Sequence, residues 1–104
     1  MPRVRVDEAA AHELEEAADW YEKEAPGTGE RLLDAFENAL SLLREEPIPL
    51  ASATGRAGQL GAKRLLLHRF PFDVVVVEEG GELVVIAVAH HSRRPGYWRS
   101  RLGT

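Results

Sequence analysis

The residues best equipped for chemistry stand at the end of the chain. Residues 90–101, HHSRRPGYWRSR, carry Arg93, Arg94, Arg99 and Arg101, two histidines, Tyr97 and Trp98, and no acid. Guanidinium groups offer paired planar donors to phosphate or carboxylate, and aromatic rings stack on bases or cover apolar surface. Cleaving RNA without a metal requires a base for the 2′-hydroxyl proton, cations against the charged phosphorane and an acid for the leaving oxygen. His91 and Tyr97 have the right chemistry for base or acid. Arg93 and Arg94, joined by Arg64 or Arg69 from the strand beside the central pair, suit charge stabilisation. The same residues support a plainer reading, in which Tyr97 and Trp98 pin the tail onto the body and the arginines are solvated or paired with helix acids. The two readings part on one electrostatic point, which is whether the cationic-aromatic patch faces outward.

Other chemistries find little footing. His90 and His91 are consecutive at a strand end, so their side chains point to opposite faces, and His12 and His68 lie at neither helical nor hairpin spacing from them, which argues against a metal site. No glycine-rich phosphate loop follows a strand, no G-x-S-x-G elbow occurs, and Ser41, Ser52, Ser92 and Ser100 lack a recognisable base partner, so no cofactor is expected. The absence of cysteine excludes thiolate catalysis, iron–sulfur clusters, Cys-type zinc sites and disulfides. Carboxylate pairs such as Glu15 with Asp19 and Glu13 with Glu16 are expected on the wet face of a helix.

These residues must be positioned by one small domain spanning 1–104. At 104 residues, with 44% hydrophobic and 29% charged, the chain is long enough for a single core without staples. Residues 1–55 hold thirteen acids and five bases, whereas residues 56–104 hold eight bases and four acids, so an anionic partner should meet the second half. The start, MPRVRVDEAA, has no apolar stretch of signal-peptide length, and the longest apolar run, residues 83–89, is far too short to span a membrane. A cytoplasmic setting without membrane contact is the expectation.

Residues 3–6, RVRV, alternate as a short half-buried strand near an edge. Asp7 is a candidate cap for a helix over about residues 8–24, whose apolar positions are Ala10, Leu14, Ala17 and Tyr21 and whose other face carries Glu13, Glu15, Glu16, Asp19 and Glu22. Pro26 and Gly27 break it, and Thr28 is placed to cap a second helix with the stripe Leu32, Leu33, Phe36, Ala39, Leu40 and Leu43. Pro47 and Pro49 end that helix, and residues 46–61 read as a long surface loop. Strands follow at about 62–69, 73–79 and 83–90, the last two joined by Gly80-Gly81, a two-residue hairpin signal. Their continuous apolar runs mark them as central, covered on one side by the helix hairpin. The fold class is α+β, β-α-α-β-β-β, with the hairpin on a mainly antiparallel four-stranded sheet and a short C-terminal tail.

Several strings, in order along nearly the whole chain, resemble a known family: WYE at 20–22, LLREEP at 42–47, RLLLHRFPFDVVV at 64–76 and IAVAHHSRRPGYWRSR at 86–101. The chain is similar to the RelE/ParE toxin superfamily of type II toxin-antitoxin modules, often called plasmid stabilisation proteins. The resemblance implies growth inhibition, a bacterial cytoplasm and a cognate antitoxin that wraps the toxin and silences it, and the basic tail leads us to expect that antitoxin to supply an acidic, partly disordered segment that folds as it binds. It also implies one of two mechanisms. RelE-like members cut mRNA in the ribosomal A site, which would give Arg64, His91, Arg93, Arg94 and Tyr97 catalytic roles in a metal-independent endoribonuclease. ParE-like members bind and poison DNA gyrase. Either way, Arg69, Trp98, Arg99 and Arg101 fall to target or antitoxin binding. The third strand, DVVVV, lacks an arginine, helix two ends in Arg44-Glu45-Glu46 without a lysine cluster, and the chain is acidic overall. RNA affinity draws mainly on phosphate contacts, so these departures favour gyrase over mRNA cleavage. A member that keeps antitoxin binding but has lost toxicity is the third alternative.

Overall fold

The computed structural model describes residues 3–45, 51–52 and 61–102, with the backbone alone for 51–52. In chain order the elements are β1 (Arg3–Val6), α1 (Glu8–Glu24), α2 (Thr28–Arg44), β2 (Ala51–Ser52), β3 (Lys63–Leu66), β4 (Phe72–Glu79), β5 (Glu82–His90) and a 3-10 turn at Arg99–Arg101. The sheet runs β1-β5-β4-β3-β2. Strand β1 lies parallel to β5, and every other neighbour pair is antiparallel. The four expected strands and the two helices are therefore present in the expected order. The two-residue β2 adds to the outer edge of β3, inside the stretch expected to be loop, and the rest of residues 46–60 lies outside the described residues.

The helix stripes do what their spacing requires except at Leu33, which the reading put in the α2 stripe and which stays exposed. Leu32, Phe36, Ala39, Leu40 and Leu43 of α2 and Ala10 and Ala18 of α1 are buried against the Phe72, Val74, Val76, Val85 and Val88 face of the sheet. The turn between the helices differs from the expected Thr28 cap. Thr28 is already the first helical residue, and Gly27 occupies the cap position with φ +91°, a left-handed conformation that glycine adopts at no steric cost. The capping acceptor comes from α1. The Glu22 carboxylate takes hydrogen bonds from the Gly27 N–H at 2.9 Å and the Gly29 N–H at 3.1 Å, which also places a negative charge at the positive end of the α2 dipole. Gly29 lets the two helices close up, since a Cβ there would stand 2.4 Å from the Ala18 carbonyl oxygen. Asp7 does occupy the α1 cap position in extended conformation, but its side chain makes no capping bond.

Among the described residues the two helices cover one face of the sheet, and the opposite face has a second core of its own. Val75 and Val77 of β4 and Val84, Ile86 and Ala87 of β5 are buried there with Trp98 of the tail. Two neighbours, Ile86 and Ala87, share that face because the β4–β5 register slips from Val75↔Ala87 to Val76↔Val85 and leaves Ile86 as a bulge. Apolar runs as continuous as those of β4 and β5 need cover on both faces. The tail supplies the second layer, in keeping with the plainer reading in which Tyr97 and Trp98 pin it onto the body, while the helix hairpin covers the first face as expected.

Candidate functional site

Unequal strand lengths create the setting. Four-residue β1 pairs only with residues 82–85 of β5, and the Asp7 N–H donating to the Val85 carbonyl at 2.9 Å closes that ladder. Past this point Ile86 and Val88 have backbone groups on an unpaired strand edge, which would otherwise need water or another strand. Side chains fill it instead. The Glu13 carboxylate accepts from the Val88 N–H at 3.0 Å, and Arg101 Nη1 donates to the Ile86 carbonyl at 3.0 Å.

Glu13 and Arg101 also bind each other. Arg101 Nη1 donates to Glu13 Oε1 at 2.8 Å and Nη2 to Oε2 at 3.2 Å, the two-pronged geometry that arginine favours with carboxylates. The Tyr97 hydroxyl donates to Glu13 Oε2. Glu13 therefore sits on the inner face of α1 rather than the wet face expected for it. The sequence did hold a signal: Glu13 is three residues after Ala10 and four before Ala17, within the apolar stripe. Burial by itself would raise the Glu13 pKa, but the bonds from Arg101, Tyr97 and Val88 outweigh it and hold the carboxyl below its usual range. Burial and the bond to Glu13 push the Tyr97 phenol far above its usual value.

A pH dependence follows. Glu13 ionises more readily in the folded chain than in the unfolded one, so its contribution to stability is fully present above the ordinary glutamate value of 4.5 and is lost as pH falls through the lower folded value. Its charged partner is Arg101, whose own pKa is raised first by the bond to Glu13 and, more weakly, by the charge of Asp7. Fluorescence of Trp98 should accordingly report loosening of the tail in acid below pH 4.5, a step that disappears in Glu13→Gln.

The tail reaches this clasp through a tight turn after β5. The His91 N–H donates to the Pro71 carbonyl at 2.8 Å, the Arg93 N–H to the His90 carbonyl at 3.0 Å and the Tyr97 N–H to the Arg94 carbonyl at 3.1 Å. Gly96 takes φ +75°, and Trp98 then drops into the second core with 5% of its surface exposed. Between this turn and strands β3 to β5 lies a cleft of about 340 Å³. Arg64, Asp73, His91, Arg93, Arg94 and Tyr97 line it above a floor that includes Val75, Ala89 and Trp98. Asp73 Oδ1 meets His91 Nε2 at 3.3 Å, and Asp73 Oδ2 lies 3.7 Å from Arg64 Nη1. The Arg93 guanidinium stacks on the Tyr97 ring at 3.9 Å. Arg93 and Arg94 are exposed and have no carboxylate within ion-pair distance among the described residues.

The cleft thus assembles Arg64, His91, Arg93, Arg94 and Tyr97, the five residues singled out for catalysis, together with Trp98. It adds Asp73, which the sequence reading passed over as the first residue of an apolar strand. The other residues assigned to binding scatter. Arg69 sits in the β3–β4 turn at φ +70°, donating to His68 Nε2 at 3.2 Å. Arg99 is exposed and donates to the Gly96 carbonyl at 3.1 Å. Arg101 faces inward, committed to the clasp, and Trp98 is buried in the second core and reaches a partner only as part of the cleft floor. The outward-facing patch is therefore real but smaller than expected, reduced to Arg64, Arg93, Arg94 and Arg99.

A helix hairpin on one face of a mixed sheet, with a basic tail closing the other, defines the class: a small α+β domain with a cationic cleft. The family model described as "ParE toxin of type II toxin-antitoxin system, parDE" matches residues 4–95, and the chain belongs to that family. It is a type II toxin by family. No curated protein matches the sequence. Among solved structures, the chromosomal ParDE TA system from P. aeruginosa has the same fold, with a TM-score of 0.72 at 19% identity over 86% of this chain and 96% of that one. No helix among the described residues is long and apolar enough to cross a membrane.

Proposed function

We propose that the protein inhibits growth by binding a macromolecular target through the cationic cleft, and that the target is DNA gyrase, as the ParE family suggests. The bonding of Tyr97 carries this reading over mRNA cleavage. Its hydroxyl is committed to Glu13 and its proton is held far more tightly than in a free phenol, so it is a poor base or acid at neutral pH. That leaves His91 as the remaining acid–base candidate among the five, where phosphodiester transfer calls for two. A ligand-binding surface needs no such pair, and Arg64, Arg93 and Arg94 around an apolar floor suit an acidic protein surface or phosphate. A cognate antitoxin with an acidic segment that folds on binding would cover the same arginines and silence the toxin.

A second reading has one observation in its favour. The Asp73–His91 pair beside Arg64 resembles an oriented acid–base group next to a charge stabiliser, which keeps the RelE-like endonuclease alternative open to test. Purified protein should be incubated with gyrase and supercoilable DNA, and separately with ribosomes carrying a defined message, while induced expression without the antitoxin gene is followed in cells. Growth arrest with lost supercoiling and intact transcripts is the expected result. Cut transcripts would replace gyrase with the ribosome as target. Normal growth with neither effect would leave a chain that only binds an antitoxin.

A further inference from the structure

We propose that Glu13, on the first helix and outside the cleft, is the positioning residue that fixes the C-terminal tail and thereby sets the place of Arg93 in the cleft. The tail lacks regular pairing of its own. After β5 the chain has a turn and one 3-10 turn, so its place depends on side chains. Trp98 supplies apolar grip, which is non-directional and tolerates sliding. Direction comes from Glu13, whose two oxygens together accept from the Val88 N–H, the Tyr97 hydroxyl and both terminal nitrogens of Arg101.

Each bond ties a different part of the structure to one carboxylate. Val88 anchors Glu13 to the unpaired edge of β5, Arg101 brings the end of the tail to the same edge through Ile86, and Tyr97 fixes the middle. Arg93 then follows, because its guanidinium rests on the Tyr97 ring. The pair is also mutually dependent. The side chains of Glu13 and Arg101 are only 14% and 24% exposed, and a charge left without its partner in such a place is costly, so losing either weakens the whole clasp. The neighbouring acids of α1 have no such role: Glu15, Glu16 and Asp19 are exposed.

The functional half of this inference rests on the toxin reading above, whereas the structural half does not, and the test separates them. The chain has two tryptophans, so Trp20→Phe leaves Trp98 as the sole reporter of tail docking in the full-length protein. In that background Glu13→Gln should keep the far-UV circular dichroism of the helices and sheet, shift Trp98 emission to the red, raise its quenching by acrylamide several-fold and abolish the acid step of the emission. Inhibition of gyrase supercoiling should fall at least tenfold. Glu16→Gln, on the exposed side of the same helix, should change none of these. Should Glu13→Gln fail to fold, Tyr97→Phe keeps the Glu13–Arg101 pair but frees the ring, and should reduce inhibition with Trp98 still docked. Unchanged Trp98 emission, quenching and acid profile in folded Glu13→Gln would overturn the proposal, as would full inhibition by Tyr97→Phe. If the unsubstituted protein does not inhibit gyrase while Trp98 still responds to Glu13→Gln, the target assignment fails and the positioning role stands.

Discussion

Trp98→Ala is expected to destabilise the domain by about 3–5 kcal/mol, the range for truncating a buried large aromatic side chain. Only 5% of its surface is exposed, and it is the largest side chain of the second core. The residues of that core, Val75, Ile86 and Ala87 among them, have no α-helix on their side of the sheet among the described residues, so neither helix of the hairpin can collapse into the space. Such a loss is a large share of the roughly 5–15 kcal/mol that holds a domain of this kind together. Urea unfolding followed by circular dichroism gives the measurement: a midpoint displaced to much lower denaturant, and a smaller slope if the tail is already detached before the main transition. Trp98→Phe should recover most of the stability, because a smaller ring still covers the valines. A cost under 1 kcal/mol for the alanine variant would mean that the second core stands without its tail.

Of this second core the sequence made Trp98 legible as a pin for the tail, but not the side-chain bonds that fix where the tail lies. Helix boundaries, strand order and the Gly80-Gly81 hairpin follow from local patterns, because periods of 3.6 and 2 and the demands of tight turns act within a few residues. The cap on α2 was less accessible. Thr28 has the right chemistry for a cap, but Glu22 reaches across the interhelical turn and takes both donors, a choice made by the packing of two helices. Glu13 is the sharper case. A glutamate among other glutamates reads as solvated surface, and its role depends on a β1 that stops after four residues, a bulge at Ile86 and an arginine 88 positions later. Asp73 was hidden in the same way, since its meeting with Arg64 and His91 exists only once β3, β4 and β5 are in register. The cleft residues were visible as types, and their grouping was a product of the fold.

The charge asymmetry acquires a structural meaning from the same contacts. Of the bases in the second half of the chain, Arg101 is consumed by α1 and Arg64 is shared with Asp73. Arg93 and Arg94 are left at the cleft mouth with no carboxylate partner among the described residues, on a chain of formal net charge -4. An acidic chain repels polyanions at long range, so a productive partner must be recognised locally, by a few well-placed donors rather than by an extended basic surface. A defined protein surface or one or two phosphates fit that requirement better than a long stretch of RNA.

The functional counterpart of Trp98→Ala is the double substitution Arg93→Ala, Arg94→Ala, which should leave the fold intact and remove toxicity. Both guanidiniums are exposed and outside any ion pair among the described residues, and such surface changes commonly stay within about 0.5 kcal/mol of the parent. Arg93 gives up in addition its stacking on Tyr97, worth roughly 0.5–1 kcal/mol at an exposed site. Binding is affected far more strongly. A hydrogen bond to a charged group contributes about 1.5–3 kcal/mol, so losing two weakens a complex by roughly 3–6 kcal/mol, or more than a hundredfold. On the proposed gyrase target, the concentration that inhibits supercoiling should rise by at least that factor, induced cells should grow normally, and the melting temperature should move by no more than a few degrees. Arg99→Ala removes an arginine outside the cleft and should cost less than tenfold. Comparable losses from Arg99→Ala and from the double variant would locate recognition along the outer tail, and a fully toxic double variant would remove the cleft from the mechanism.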